Sequence, residues 1–477
     1  MTLPQLSGAQ PAAQPGAVLR SSFVTSLTRY RRSWGLWLLL LIAPVGARFM
    51  ISDESGRGVA IAVADQLPVL TSAMLGVWLG IVVTTLLLPV GYIYLRANTN
   101  RRQPWQVEEV TAAPRVAMLL GRFAADAAVL LGTLGTLTLA GWFLGWLMVS
   151  GPYSLWQIAY PLWLIAAPPL VALAALRILF DAVPWLRGAL GDLAYFFVWM
   201  ASIVMPLLGA NQPSSFTANL FDHPGFVRPL AGPEPAGEMN VQIGGVDPAT
   251  LKPGRIDLDV AAGLHAPGYI AARLAWIGIA VALVLVAGLI YRPHRSGRRQ
   301  AGQGRIAKLL SARPPAAVRA DALPAPPARS ALLGLVLAEF RLIGAGRLFL
   351  LLAAAATLAG ISGDYRHIGS PAALLLLLFA LSAQAGRCEA RGLLKLTATT
   401  ATLPMLRRAA FVVAGLAWSL LLALPAAIVR GSGEPLLLAL TTGAAASVTA
   451  ITLAALTGSS FAPRVVLLIA WYIYFSS

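Results

Sequence analysis

RANTNRRQPWQVEEVTAAPRVAMLLGRF, residues 96 to 123, lies between two apolar runs, each long enough to cross a bilayer. It holds five basic residues, the pair Glu108-Glu109, and prolines at 104 and 114 around a short amphipathic core. An ion placed in hydrocarbon costs several kcal/mol. The stretch therefore belongs at a membrane surface, and the runs on either side of it are spans. A second stretch of similar make-up runs from Arg387 to Phe411.

Composition agrees. Mean hydropathy is +0.73, with 58% hydrophobic and 12% charged residues, against roughly 25% charged in an average soluble domain. The expected fold is all-α, a polytopic membrane protein with eleven transmembrane helices. The net charge of +17 follows from topology. With the N-terminus in the cytoplasm, most Lys and Arg fall in segments on that side, the positive-inside pattern. No recognition motif accompanies the charge, so nucleic acid is not an expected partner. Cys388 is the one cysteine, which leaves no intrachain disulfide and no Cys-based metal site. Residues 1 to 19 lack the charged start and apolar core of a cleavable signal.

Residues 1–33 read as a tail and a surface amphipathic helix, with Leu19, Phe23 and Leu27 near one face and Arg29, Arg31 and Arg32 at its end. The first membrane half, 34–291, carries spans near 34–50, 67–95, 124–149, 158–179, 190–208 and 271–291. Within it, 209–268 is rich in Pro, Gly and Asp and contains NVQIGG and RIDLDV. That pattern predicts an external segment with a few short strands. Residues 292–329 (with RPPAAVRADALPAPPARS) read as a solvated basic linker. The second half, 330–477, restarts with the amphipathic LLGLVLAEFRLIGAGR and carries spans near 348–362, 372–386, 410–429, 436–457 and 465–475. It is shorter than the first. A duplication accounts for the plan: a shift of 286 puts Thr111 on Thr397 and Arg122 on Arg408, and a shift of 312 puts Arg29 on Arg341. A shift of 277 puts Arg187 on Arg464.

QPWQVEEVTAAPRVAMLLGRF (103–123), GRCEARGLLKLTATTATLPMLRR (386–408) and RLAWIGIAVALVLVAGLIYRPHR (273–295) resemble the ABC-2-type transporter permeases, the membrane subunits of ABC exporters. The likeness is diffuse and carries no catalytic signature. It implies two tandem permease-like bundles in the cytoplasmic membrane, alternating exposure of a cavity between them, and an exported substrate. It also implies a separate ABC ATP-binding subunit docking on the two charged loops as coupling helices. Trp105 would be the anchor, with Glu108, Glu109, Arg115, Arg122, Glu389, Arg391, Lys395, Arg407 and Arg408 around it. The chain itself would carry no cofactor, since ATP would sit on the partner. Assembly as a homo- or heterodimer is left open, as is substrate identity, with hydrophobic cargo favoured by the apolar spans.

The chain has no G-x-x-x-x-G-K-[ST] phosphate-binding motif, and none of its lysines (252, 308, 395) follows a glycine. An ion-coupled carrier is the alternative. It would use Asp126 or Asp192, but both lie near span ends, and Asp126–Arg122 and Asp181–Arg177 have helix-pairing spacing. An enzyme is the third class. His223, His265, His294 and His367 are scattered without metal-site spacing, although His223 and His265 share a segment with Asp222, Asp257 and Asp259. Pro89 and Pro168-Pro169 are expected to kink or widen their helices, and Gly132, Gly135 and Gly141 to permit close helix contact.

Overall fold

The computed structural model describes residues 14–51, 60–99, 113–187, 189–208, 211–234, 241–244, 251–291, 331–385, 387, 403–457 and 461–476. The protein is an all-α membrane protein. Among the described residues, seven helices are long and apolar enough to cross a bilayer, or eight if the bent pair Leu332–Ile343 and Arg347–Ser362 counts as one. Gly35–Arg48, Gly191–Pro206 and Ala462–Trp471 are shorter apolar helices. The chain separates into two compact units, Met1–Arg298 and Arg299–Ser477.

The centre of the first unit is α3 (Ser72–Val82), a π turn (Val83–Leu87) and α4 (Leu88–Thr99). As one span, Ser72–Arg96 is buried almost throughout, which is why it is apolar all round rather than striped. Pro89 cannot donate a backbone hydrogen bond, and the widening expected there takes the form of the π turn just before it. The Thr84 and Thr85 hydroxyls in that turn donate to the carbonyls of Gly80 and Ile81, at 3.1 and 2.9 Å.

Around this centre pack α1 (Pro15–Arg31), α2 (Trp34–Met50), α5 (Arg115–Met148), α6 (Leu155–Ala182), α7 (Ala189–Leu208) and the later α11 (Tyr269–Ile290). Helix α6 runs unbroken through Pro161, Pro168 and Pro169. Glycine placement differs from expectation. A Cβ on Gly141 would stand 2.5 Å from Leu79 Cδ1, a true close approach, whereas Gly132 and Gly135 face open space.

Helix α1 forms where the sequence placed an amphipathic helix, and it packs along α5. Its buried residues are Ser22, Ser26 and Tyr30, one stripe at a spacing of four, while Leu19 and Val24 are exposed. Small polar residues win the protein-facing side because they let backbones approach, and lipid gives apolar side chains no reason to turn inward. The approach is close. A Cβ on Gly121 of α5 would lie 2.4 Å from the Leu19 carbonyl oxygen, and the Ser22 hydroxyl donates to the Met118 carbonyl at 2.9 Å.

Short strands gather at one end of this unit: two in the 209–268 segment where strands were expected, and two at 60–68, of which Leu67–Pro68 opens the run read as the second span. Strand β1 (Ala60–Val63) pairs antiparallel with β3 (Val241–Gly244), with Ile61 opposite Ile243. Strand β2 (Leu67–Pro68) pairs in parallel with β4 (Arg255–Ile256). Ala64 and Asp65, at φ 53° and 63°, form the tight turn between β1 and β2. Between β2 and β3 the chain crosses the unit through α3–α4, α5 and α6. Helix α7, though short, must bring it back. The strands, with α8 (Phe216–Phe221), α9 (Val227–Ala231) and α10 (Val260–Leu264), make a cap over that end.

The second unit comprises α12 (Ala331–Ile343), α13 (Arg347–Ser362), a π turn (Tyr365–Gly369), α14 (Ser370–Gln384), α15 (Pro404–Arg430), α16 (Glu434–Thr457) and α17 (Phe461–Ser476). Helices α12 and α13 meet at 85°. Trp418 of α15 fills that corner. Its ring stacks on Phe340 at 4.5 Å and meets Phe349 edge-on at 4.9 Å, and its indole N–H donates to the Phe340 carbonyl at 2.8 Å. Helices α15 and α16 approach through small residues, where the Ser419 hydroxyl donates to the Ala439 carbonyl at 2.8 Å.

Candidate functional site

At the end of the first unit opposite the strands, five helices bring charge into the interior. Arg177 of α6 places Nη1 2.7 Å from Asp126 of α5 and Nη2 3.1 Å from Asp181, one turn along its own helix. Arg96 of α4 reaches Asp181 at 2.9 Å and Asp192 of α7 at 3.1 Å. Its Nη2 also donates to the carbonyls of Leu186 and Arg187. The Tyr30 hydroxyl of α1 donates to Asp126 at 2.5 Å, and that of Tyr92 to Asp192 at 3.1 Å. The rings of Tyr92 and Tyr195 stack at 3.8 Å. Three carboxylates and two guanidinium groups thus form one chain of contacts, with Asp126 and Arg177 each 1% exposed.

Charges this deep require partners on every side, because desolvation outweighs a single Coulomb contact. The forked guanidinium supplies them. It makes several planar contacts in fixed directions, where an ammonium would make one. The i,i+4 pair Arg177–Asp181 was legible in the sequence. Asp126 was expected beside Arg122 on its own helix but is gripped by Arg177 and Tyr30 from two other helices. Tyr30 and Arg96 were missed as cluster members. The only signal for them was an aromatic and a cation at the ends of their apolar runs.

The residues expected to dock a partner are divided. Trp105, Glu108, Glu109, Glu389, Arg391 and Lys395 lie outside the described residues. Arg115 is exposed, and its Nη1 donates to the Tyr291 carbonyl at 3.0 Å, tying the start of α5 to the end of α11. Arg122 is buried in the helix packing and presents no surface. Arg407 and Arg408 are half-buried in the first turn of α15.

Set against protein-family models, curated proteins and solved structures, the chain matches none. Function must be read from its own residues.

The cap supplies the second cluster. Arg273 of α11 is fully buried. Its Nη1 donates to the His223 carbonyl at 2.9 Å, and its Nη2 to the carbonyls of Asn219 and Asp222. Tyr269 and Trp276, on the same face of α11, donate to the carbonyls of Gly225 and Leu220. The Asp222 carboxylate accepts from the N–H groups of Gly225 and Val227, at 2.9 and 3.0 Å. Gly225 has φ +78°, and a Cβ there would stand 2.3 Å from Arg273 Nη1, so a side chain would strain the turn and displace the guanidinium. Among the described residues no three His, Cys, Asp or Glu gather as a metal site.

His223 is half-buried, but its Nδ1 is closed off without a hydrogen bond. Burial, then the neighbouring Arg273 charge, pushes its pKa from 6.5 down to about 3. The neutral ring therefore stabilises the cap fully above pH 6.5, and that contribution drains away as pH falls toward 3. Burial raises the Asp222 carboxyl, which opposes the effect, so the histidine is isolated by difference. His223→Asn is expected to lose less cap stability than wild type between pH 6.5 and 4, read by limited proteolysis of the cap.

Proposed function

We propose that the chain is the membrane subunit of an ABC-type exporter, driven by a separate ATP-binding subunit that docks on the loops centred on residues 100–112 and 388–402. The observation that supports this is the buried ionic chain. It links α4, which enters the first loop, and α5, which leaves it, to α1, α6 and α7. A displacement of the loop is then delivered to five helices together rather than absorbed by bending one. Coupling between distant sites needs a physical element of this kind.

On this reading the chain makes eleven crossings of the cytoplasmic membrane. The loop end, with the N-terminus, faces the cytoplasm and the strand cap faces outward, in keeping with the distribution of Lys and Arg. Two tandem halves fit as well. Moved by 312, α1 and α2 end on the last residues of α12 and α13, Ile343 and Ser362. Helix α12 also packs on α15 as α1 packs on α5. The exported substrate would be hydrophobic, since the described spans offer little but carbon to a passing solute.

The test is retention of ATP hydrolysis. Chain purified from its native membranes should carry a nucleotide-hydrolysing subunit. Glu108→Lys with Glu109→Lys should lower the retained activity about tenfold or more, as reversed interface charges do, while the chain itself melts normally. Proton-gradient-driven transport by the purified chain alone would overturn the proposal in favour of an ion-coupled carrier.

A further inference from the structure

Between α5, α6 and α11, in the half of the first unit nearer the strands, lies a groove of about 620 Å³. Its walls include Gly135 and Trp142 of α5, Trp163 and Pro168 of α6, and Leu274 and Ile277 of α11. The volume is that of an ordinary small-ligand site. The lining is carbon. The indole N–H of Trp163 is spent on the Thr138 hydroxyl at 3.0 Å, and that of Trp142 on the Leu155 carbonyl at 3.1 Å. Arg273, which also borders the groove, has both terminal nitrogens bound to cap carbonyls.

The rim is different. Trp156 stacks on Tyr160 at 5.6 Å, and Tyr160 on His265 at 5.8 Å. The Tyr160 hydroxyl lies 3.4 Å from His265 Nε2, and His265 Nδ1 lies 2.9 Å from the Ala261 carbonyl oxygen. With Nδ1 donating there, Nε2 is the acceptor and Tyr160 the donor. An exposed aromatic shelf with polar edges sits at headgroup depth in membrane proteins. From Trp156 to Pro168, α6 descends about 18 Å, close to the ~15 Å depth of one leaflet's hydrocarbon. The groove therefore has the length, polarity gradient and opening of a slot for one lipid chain.

We infer that this groove binds an acyl chain of a membrane phospholipid from the leaflet nearer the strands, with the headgroup resting on the Trp156–Tyr160–His265 shelf. This rests on the proposed exporter only in naming a lipid as the substrate class, and occupancy is measured without nucleotide or ATPase. Gly135 provides the plug, because a side chain there meets no protein atom within 4 Å and extends into the slot. Gly132, three residues away and likewise open, does not line the groove and serves as the control.

The full chain would be reconstituted in phosphatidylcholine vesicles doped with a phosphatidylcholine bearing a mid-chain diazirine, irradiated, and digested for mapping. Adducts are expected on peptides covering 135–142, 156–168 and 274–277. They should fall about tenfold in Gly135→Phe and stay unchanged in Gly132→Phe. Adducts spread evenly over the lipid-facing helices, or equal in both variants, would overturn the assignment. So would labelling of the groove by a diazirine free fatty acid but not by the phospholipid. Absence of any retained ATPase in the wild-type chain, with intact groove labelling, would count against the exporter and leave this site standing.

Discussion

Arg177→Met is expected to cost the first unit about 3–5 kcal/mol and to lower the thermal midpoint of the detergent-purified chain by roughly 10 °C. The substitution removes the one cation that spans Asp126 and Asp181 and leaves Asp126 buried with only Tyr30 beside it among its hydrogen-bond donors described above. Arg177→Lys should recover little, since a single ammonium cannot face both carboxylates as a fork does. Asp126→Asn should be milder, because Arg177 keeps Asp181 and the amide oxygen still accepts from Tyr30. An ion-coupled carrier predicts for that last variant an intact fold with lost proton-driven flux. A melt of Arg177→Met within a degree or two of wild type would remove the ionic chain from any part in holding the helices together.

Arg273→Ala is the second large effect. It deprives three backbone carbonyls, of Asn219, Asp222 and His223, of their donor, and each buried polar group left without a partner costs about 1–3 kcal/mol. The membrane-crossing helices make none of these contacts except through α11. The loss should therefore be local: the cap opens to protease at least tenfold faster, while the midpoint of the helical bundle moves little. Arg273→Lys should restore part of the protection, as one donor survives. Unchanged proteolysis in Arg273→Ala would mean that Tyr269 and Trp276 suffice to seat the cap.

What could be read from the sequence divides along the range of the forces involved. Apolar helices were legible because a bilayer imposes length and polarity locally: the runs read as spans fall on helices, seven of which, or eight with the bent pair, are long and apolar enough to cross among the described residues. The strands at NVQIGG and RIDLDV were legible because alternation is local. The partners of Asp126 were not, since residues 30, 126 and 177 meet only through the fold, and spacing within one helix pointed to Arg122 instead. The Ser22–Ser26–Tyr30 contact face of α1 was not legible because beside lipid it is small polar residues, rather than apolar ones, that let helices approach. Gly132 and Gly135 were taken as helix contacts. Gly135 borders the groove and Gly132 faces open space, because a stripe of small residues admits a cavity as readily as a neighbour. Arg273 stood in plain view at the edge of an apolar run, yet nothing local marked it as the peg of the cap.

The pairing of Ala60–Val63 with Val241–Gly244 has a consequence for biogenesis. The later partner leaves the ribosome more than 180 residues after the earlier one, which at ordinary elongation rates is roughly ten to forty seconds of waiting. Throughout that interval the nascent AIAV segment offers an open edge to any other chain being inserted nearby. Its brevity, four residues, is what keeps such an edge from recruiting a stranger before its own partner emerges.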